Sequence, residues 1–310
     1  MKIYFYGSRG SIPTPLLLAD YQTKVKKILN LYKKSKNKDI NLFFSKLPFE
    51  LSHIYGGNTA CTTIEENNKE LIILDAGSGI RVLGNKIAQL NNQTIHIFLS
   101  HFHWDHICGI PFFRPIYNPS NTIIFYSTDE RLIQNLARQQ VESHFPLSFQ
   151  KLPAKKKFVI LDKKSQYKLN DFTIFNIPLN HPGDCTGYIF EKEGKKISYL
   201  TDTEFTPDSL QGEEDFYRAC FENSTVLILD SQYSVVEIFS KFDWGHTSSN
   251  MAVNLALDWH VKNLVLFHFD PNHSDENLYK ILKDAKNQKN LFNKKQLNII
   301  PAIEGTFIEI

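Results

Sequence analysis

The chain has 310 residues, 42% hydrophobic and 22% charged, with 35 basic against 33 acidic side chains and a formal net charge of +2. That composition excludes a disordered or collagen-like chain, and the near-balance of charge excludes recognition of nucleic acid or an acidic membrane by global electrostatics. The length admits one large domain or two ordinary ones, the apolar runs fall short of the ~20 residues that cross a bilayer, and Cys61, Cys108, Cys185 and Cys220 lie too far apart for a C-x-x-C motif.

Residues 3–6, Ile-Tyr-Phe-Tyr, read as a strand, and 7–13, Gly-Ser-Arg-Gly-Ser-Ile-Pro, as a turn-rich loop whose amides and Arg9 can face an anion. This opening is too short and polar for a signal-peptide core, and with the scattered thiols a cytoplasmic protein is expected. Val25, Ile28, Leu29 and Tyr32 repeat at i, i+3, i+4 and i+7 between lysines, the pattern of an amphipathic helix, and a second short helix is expected at 41–46. A segment of about forty residues buries too little to fold alone. Residues 16–54 therefore read as a helical insertion in a single domain spanning 1–310, and the insertion is expected to rim the pocket formed by the loops on either side.

Strands are expected at 61–65 and 70–75, the second ending in Asp75 and the turn Ala-Gly-Ser-Gly. Residues 94–99, Thr-Ile-His-Ile-Phe-Leu, form an apolar strand that leads into Ser-His-Phe-His-Trp-Asp-His at 100–106. Three of eleven histidines fall within six residues there, beside an aspartate, which is a metal site's inventory and not that of an ordinary polar loop. His101 and His103, two apart in extended chain, point the same way, while Asp105 and His106 begin a turn and can aim at a second ion.

Farther on, a strand at 122–127, a helix at 129–142, a strand at 158–161 and hairpins turning at 169–171 and 193–194 are expected. A strand, helix, strand unit follows at 225–230, 248–259 and 263–267, with Thr247 or Ser248 as helix cap, then a helix at 274–287 and strands at 297–299 and 306–310. His181, Asp202 and His268 each follow an apolar strand. The lysines within 33–38 and 155–157 read first as solvated faces and second as a nucleic-acid contact.

The H-x-H-x-D-H loop behind an apolar strand resembles the metallo-β-lactamase superfamily. The opening at 7–13, Tyr-Gly-Gly-Asn-Thr at 55–59 and Gly-His-Thr-Ser at 245–248 resemble its phosphodiesterase and ribonuclease Z side. The resemblance implies an α/β fold, the four-layer αββα sandwich, around two divalent metal ions. It implies that His101, His103 and His181 hold one ion, that Asp105, His106 and His268 hold the other, that Asp202 bridges, and that Asp75 orients the metal loop. Imidazole and carboxylate ligands suit zinc, with manganese or iron as alternatives. His103 stands where di-iron oxygen-reducing relatives carry glutamate, which favours hydrolysis.

A hydroxide bridging two ions suits in-line displacement at phosphorus, with Asp105 in the catalytic set and His246 assisting the leaving oxygen. Arg9, Asn58, Thr59 and Trp104 are the expected substrate contacts. The implied function is a metal-dependent phosphodiesterase acting on a cyclic or small nucleotide. A tRNA 3′-processing endonuclease and a non-catalytic nucleotide sensor are the alternatives. Trp104, where ribonuclease Z typically carries glycine, and the lack of a Gly/Pro-rich arm between His106 and Asp202 weigh against tRNA. The expected partner is a small phosphodiester, with nucleic acid ranked below it; no membrane partner is expected, and a homodimer is left open.

Overall fold

β-Branched and aromatic runs of the chain pair into two sheets, a computed structural model shows, and it describes residues 1–66, 70–238, 241, 244–292 and 296–310. The first sheet holds β1 (Lys2–Gly7), β2 (Cys61–Glu65), β3 (Leu71–Leu74), β4 (Thr94–Phe98), β5 (Thr122–Ser127) and β6 (Lys155–Ile160). The second holds β7 (Gln166–Leu169), β8 (Phe172–Pro178), β9 (Thr186–Lys192), β10 (Lys195–Leu200), β11 (Val226–Asp230), β12 (Asn263–Phe267) and β13 (Asn298–Pro301). The last strand, β14 (Phe307–Glu309), returns to the first sheet beside β1, and otherwise each sheet keeps chain order.

Helices α1 (Leu18–Lys34), α2 (Ile40–Ser45) and α3 (Phe49–Ser52) precede β2; α4 (Gly79–Lys86), α5 (Trp104–Ile107) and α6 (Leu132–Gln139) follow β3, β4 and β5. Later come α7 (Pro207–Leu210), α8 (Glu214–Phe221), α9 (Val235–Ile238), α10 (Ser249–Asp258) and α11 (Asp275–Leu291). Between the sheets Phe98 meets Tyr188 and Phe190 edge-on, with ring centroids 5.4 and 5.3 Å apart. Outside the first sheet Ile73, Ile97 and Phe125 pack with Leu83 of α4 and Leu136 of α6. Val253 of α10 and Ile281 of α11 join the core of the second sheet. Each such buried side chain contributes roughly 1.5–3 kcal/mol, and the layers are the expected αββα sandwich.

Strands β3 to β6 run parallel, as do β10 to β13. Parallel strands put their carboxyl ends on one edge, where binding sites collect. Asp75, Asp202 and His268, each just past a strand, take left-handed backbone with φ of 59°, 48° and 62°, so the chain turns sharply there. Both expected hairpins form, pairing Leu169 with Phe172 and Lys192 with Lys195.

Helix α6 is shorter than expected, because Asp129 instead accepts from the Arg131 amide at 2.8 Å in a local turn. Lys155 to Lys157 belong to β6, the outer strand of the first sheet, and not to a loop; lysines on an edge strand discourage pairing with another chain. Ser248, one of the two expected caps, accepts from the Met251 amide at the start of α10. All four cysteines are free thiols, and no helix among the described residues is long and apolar enough to cross a membrane.

Candidate metal centre

Strand ends bring all seven expected ligands into two clusters, His101, His103, His181 and Asp202 in one, and Asp105, His106, Asp202 and His268 in the other. In the second cluster His106 Nε2 and His268 Nε2 are 3.3 Å apart. Asp105 Oδ2 stands 3.3 Å from His106 Nε2 and 3.1 Å from His268 Nε2. Asp202 Oδ1 is 3.2 Å from His106 Nε2 and 3.1 Å from His268 Nε2. Corners of a zinc tetrahedron with bonds of about 2.0–2.1 Å stand roughly 3.3 Å apart. These four atoms already have that spacing.

The first cluster is built the same way and slightly wider. His181 Nε2 lies 3.2 Å from His103 Nδ1, and the other oxygen of Asp202, Oδ2, stands 3.6 Å from both His101 Nε2 and His181 Nε2. One carboxylate thus presents one oxygen to each cluster. His101 Nε2 is buried with no hydrogen-bond partner, a desolvated lone pair that a cation would satisfy.

The second nitrogen of most of these rings is held by the protein, which fixes the tautomer that points a lone pair inward. His106 Nδ1 donates to Asp75 Oδ2 at 2.8 Å, His181 Nδ1 to the Gly245 carbonyl at 2.8 Å, and His268 Nδ1 to Gln232 Oε1 at 3.1 Å. Asp75 also accepts from the Ser100 amide and hydroxyl and from the Tyr199 hydroxyl, so it orients the metal loop and reaches the second sheet. Two glycines make room for the rings. A Cβ at Gly10 would stand 2.5 Å from His268 Cε1, and one at Gly245 would stand 2.4 Å from His181 Nδ1. Gly245 also has φ of 79°, which favours glycine.

Electrostatics fit a cation. Burial pushes the His101, His103 and His181 imidazoles below their ordinary range, leaving them neutral and able to donate a lone pair. Burial acts the same way on His106, but the carboxylates of Asp202, Asp105 and Asp75 outweigh it and drive that ring well above its range. Asp105 and Asp202 are held well below the carboxylate range, since neighbouring imidazoles overcome their burial. Buried carboxylates around one point call for positive charge there. The residues present fit divalent ions.

An open cleft of about 570 Å³ gives access to these atoms and is lined also by Ser11, Trp104, Pro182, Trp244 and His246. The Ser11 amide donates to Asp105 Oδ2 at 2.7 Å, which ties the first loop to the cluster. His246 Nδ1 donates to Asp230 Oδ2 at 2.7 Å, and Asp230 is fixed in turn by the amides of Thr203 and Gln232. Burial lowers the His246 pKa, but Asp230 foremost, then Asp202 and Asp105, raise it to about 9. Asp230 stood in the sequence only as the end of a strand. Its role follows from parallel pairing that sets β11 beside β10 and β12.

Three expected substrate contacts lie outside the cleft lining. Arg9 is only 4% exposed, and its guanidinium donates to the carbonyls of Gly56, Asp270 and His273 at 3.0, 3.1 and 2.8 Å. It staples three loops together and does not line the metal cleft. Asn58 donates to Glu304 and accepts from the Ser78 hydroxyl, while Thr59 is fully buried and its hydroxyl accepts from the Ser78 amide. Trp104 alone of the four lines the cleft. No residue of 16–54 lines it among the described residues. Helix α1 lies instead beside α3 and the start of α11, where Lys24 pairs with Asp275 at 3.0 Å, and so the segment does not rim this cleft.

Comparison with known proteins agrees with this architecture. A ribonuclease Z from Thermoplasma acidophilum is 24% identical over 311 residues, covering 93% of this chain and 92% of that protein. The metallo-β-lactamase fold protein YhfI from Bacillus subtilis superposes with a TM-score of 0.66 at 17% identity, over 100% of this chain and 99% of its own. A diphosphatase from the PhnP family gives 0.65 at 16% identity, over 100% and 97%. Residues 71–269, which carry all seven clustered side chains, match the family described as Beta-lactamase superfamily domain. The chain therefore belongs to the β-lactamase superfamily, as a member with the metallo-β-lactamase fold.

Proposed function

We propose that this hydrolase is a phosphodiesterase that uses two divalent ions, zinc foremost, and acts on cyclic or other small nucleotides. The observation that carries the reading is Asp202, whose two oxygens face two separate imidazole clusters at 3.1–3.6 Å. Ions held there would supply an activated water and neutralise charge on the phosphoryl oxygens. His101, His103 and His181 would hold one and Asp105, His106 and His268 the other.

The chain's own groups do the rest. His246 keeps Nδ1 bonded to Asp230 and holds its second proton on Nε2, in the cleft, for the leaving oxygen. Asp105, fixed by the Ser11 amide, keeps an ionised oxygen beside His106 and His268. Trp104 and Trp244 line the open cleft with aromatic surface beside the phosphate position.

A second reading, tRNA 3′-end processing, is supported by the relative named ribonuclease Z that spans nearly the whole chain. Incubating purified protein with cyclic nucleotides, dinucleotides and precursor tRNA, with and without chelator, separates the two. The primary reading predicts chelator-sensitive cleavage of the small substrates; cleavage confined to precursor tRNA would replace it with the second.

A further inference from the structure

A second cavity, of about 520 Å³, adjoins the metal cleft, and Phe102 and Trp104 line both. This volume is within the ~300–1,000 Å³ typical of small-molecule sites. One wall is a face of α6, where Asn135, Arg138 and Gln139 at i, i+3 and i+4 point outward while Leu132 and Leu136 pack into the core. The facing wall is aromatic. Trp104 is 83% exposed and Phe112 54% exposed, and Phe145 meets Phe112 edge-on at 5.7 Å.

Gln139 anchors the helix wall to the metal loop. Its Nε2 donates to the Ile107 carbonyl at 2.7 Å, which fixes the amide, and its Oε1 is shielded from water with no partner. Exposed aromatic faces next to a phosphate site match the chemistry of a planar heteroaromatic ring. An aliphatic alcohol or a bare sugar would leave the aromatic faces wet.

We infer that this cavity, between α5, the turn Ile110–Phe112 and α6, receives the nucleobase of a nucleotide whose phosphate lies in the metal cleft. The inference rests on the phosphodiester reading of that cleft for its orientation. Stacking of a base on an aromatic side chain is worth roughly five- to a hundredfold in affinity. The cavity therefore discriminates base-bearing from base-free phosphates.

Calorimetric titration of the metal-loaded protein with adenosine 5′-monophosphate, ribose 5-phosphate and free adenosine tests this. The monophosphate should bind about tenfold or more tightly than ribose 5-phosphate, and Phe112→Ala or Phe145→Ala should lower that ratio at least fivefold. Trp104→Ala should do the same, and the other two variants stand in should it disturb the neighbouring ligands. Equal binding of the two phosphates by wild type, or a ratio unmoved in all variants, overturns the inference. If phosphodiesters are turned over without base preference, the cavity assignment fails and the metal-cleft reading stands. If adenosine binds and Phe112→Ala abolishes it while no phosphodiester is cleaved, the cavity assignment stands and the cleft reading fails.

Discussion

His246 Nδ1 lies 2.7 Å from Asp230 Oδ2, and the pair is buried at the wall of the metal cleft. The carboxylate fixes the ring's direction and raises its pKa, which favours the imidazolium, the acid form. The alkaline fall of kcat should therefore report loss of the His246 proton. Asp230→Asn removes the charge that opposes burial, lowers that pKa and moves the alkaline limb to lower pH, with kcat at pH 8 reduced. A pH–rate profile of wild type and variant checks this; an unmoved limb would exclude His246 as the acid.

His246→Ala should lower kcat by about 10²–10⁴ on a substrate with an alkoxide leaving group. The loss should shrink on a nitrophenyl ester, which needs little protonation to leave. Metal content should stay at the wild-type level. A stripped metal would make His246 a ligand, a role its place beside His181 and His268 makes worth measuring.

Asp202 and Asp75 should fail differently. Asp202→Ala removes an oxygen from both clusters and should empty both of metal. Asp75→Ala deprives Ser100, His106 and Tyr199 of an acceptor. It should destabilise the fold by about 3–9 kcal/mol, given ~1–3 kcal/mol for each buried group left unmet, and weaken metal binding some 10–100-fold. Elemental analysis and thermal melting separate the two; equal metal occupancy would count against the shared-ligand role of Asp202.

Gly10→Ala tests the packing of the cluster without touching a ligand. The added methyl would press on the His268 ring, which Gln232 holds from the other side. Overpacking of this kind costs about 1–3 kcal/mol, and the variant should bind metal more weakly while keeping its circular dichroism spectrum. Wild-type affinity would mean that His268 can move aside.

The metal loop was legible because four ligands crowd into six residues, a local signal that needs no fold. His181, Asp202 and His268 were legible for a second reason: each ends an apolar strand, and parallel strands deliver their ends to one place. Asp230 shares that position, but a strand-end aspartate does not reveal which imidazole it will meet. Arg9, Asn58 and Thr59 lie outside the cleft lining, a placement not legible in the sequence because polar residues in a glycine-rich loop look alike whether they face a ligand or bind neighbouring carbonyls and carboxylates. The amphipathic stripe of α1 was legible and the helix forms, though none of its residues is buried. Periodicity specifies a helix face and not what covers it.

Stepwise return of zinc to chelator-treated protein, followed by hydrolysis of bis(p-nitrophenyl) phosphate, is the most direct test of a two-ion phosphodiesterase. Chelation should abolish turnover, and activity should rise until two equivalents per chain are bound. Turnover that survives chelation, or that saturates at one equivalent, would contradict it.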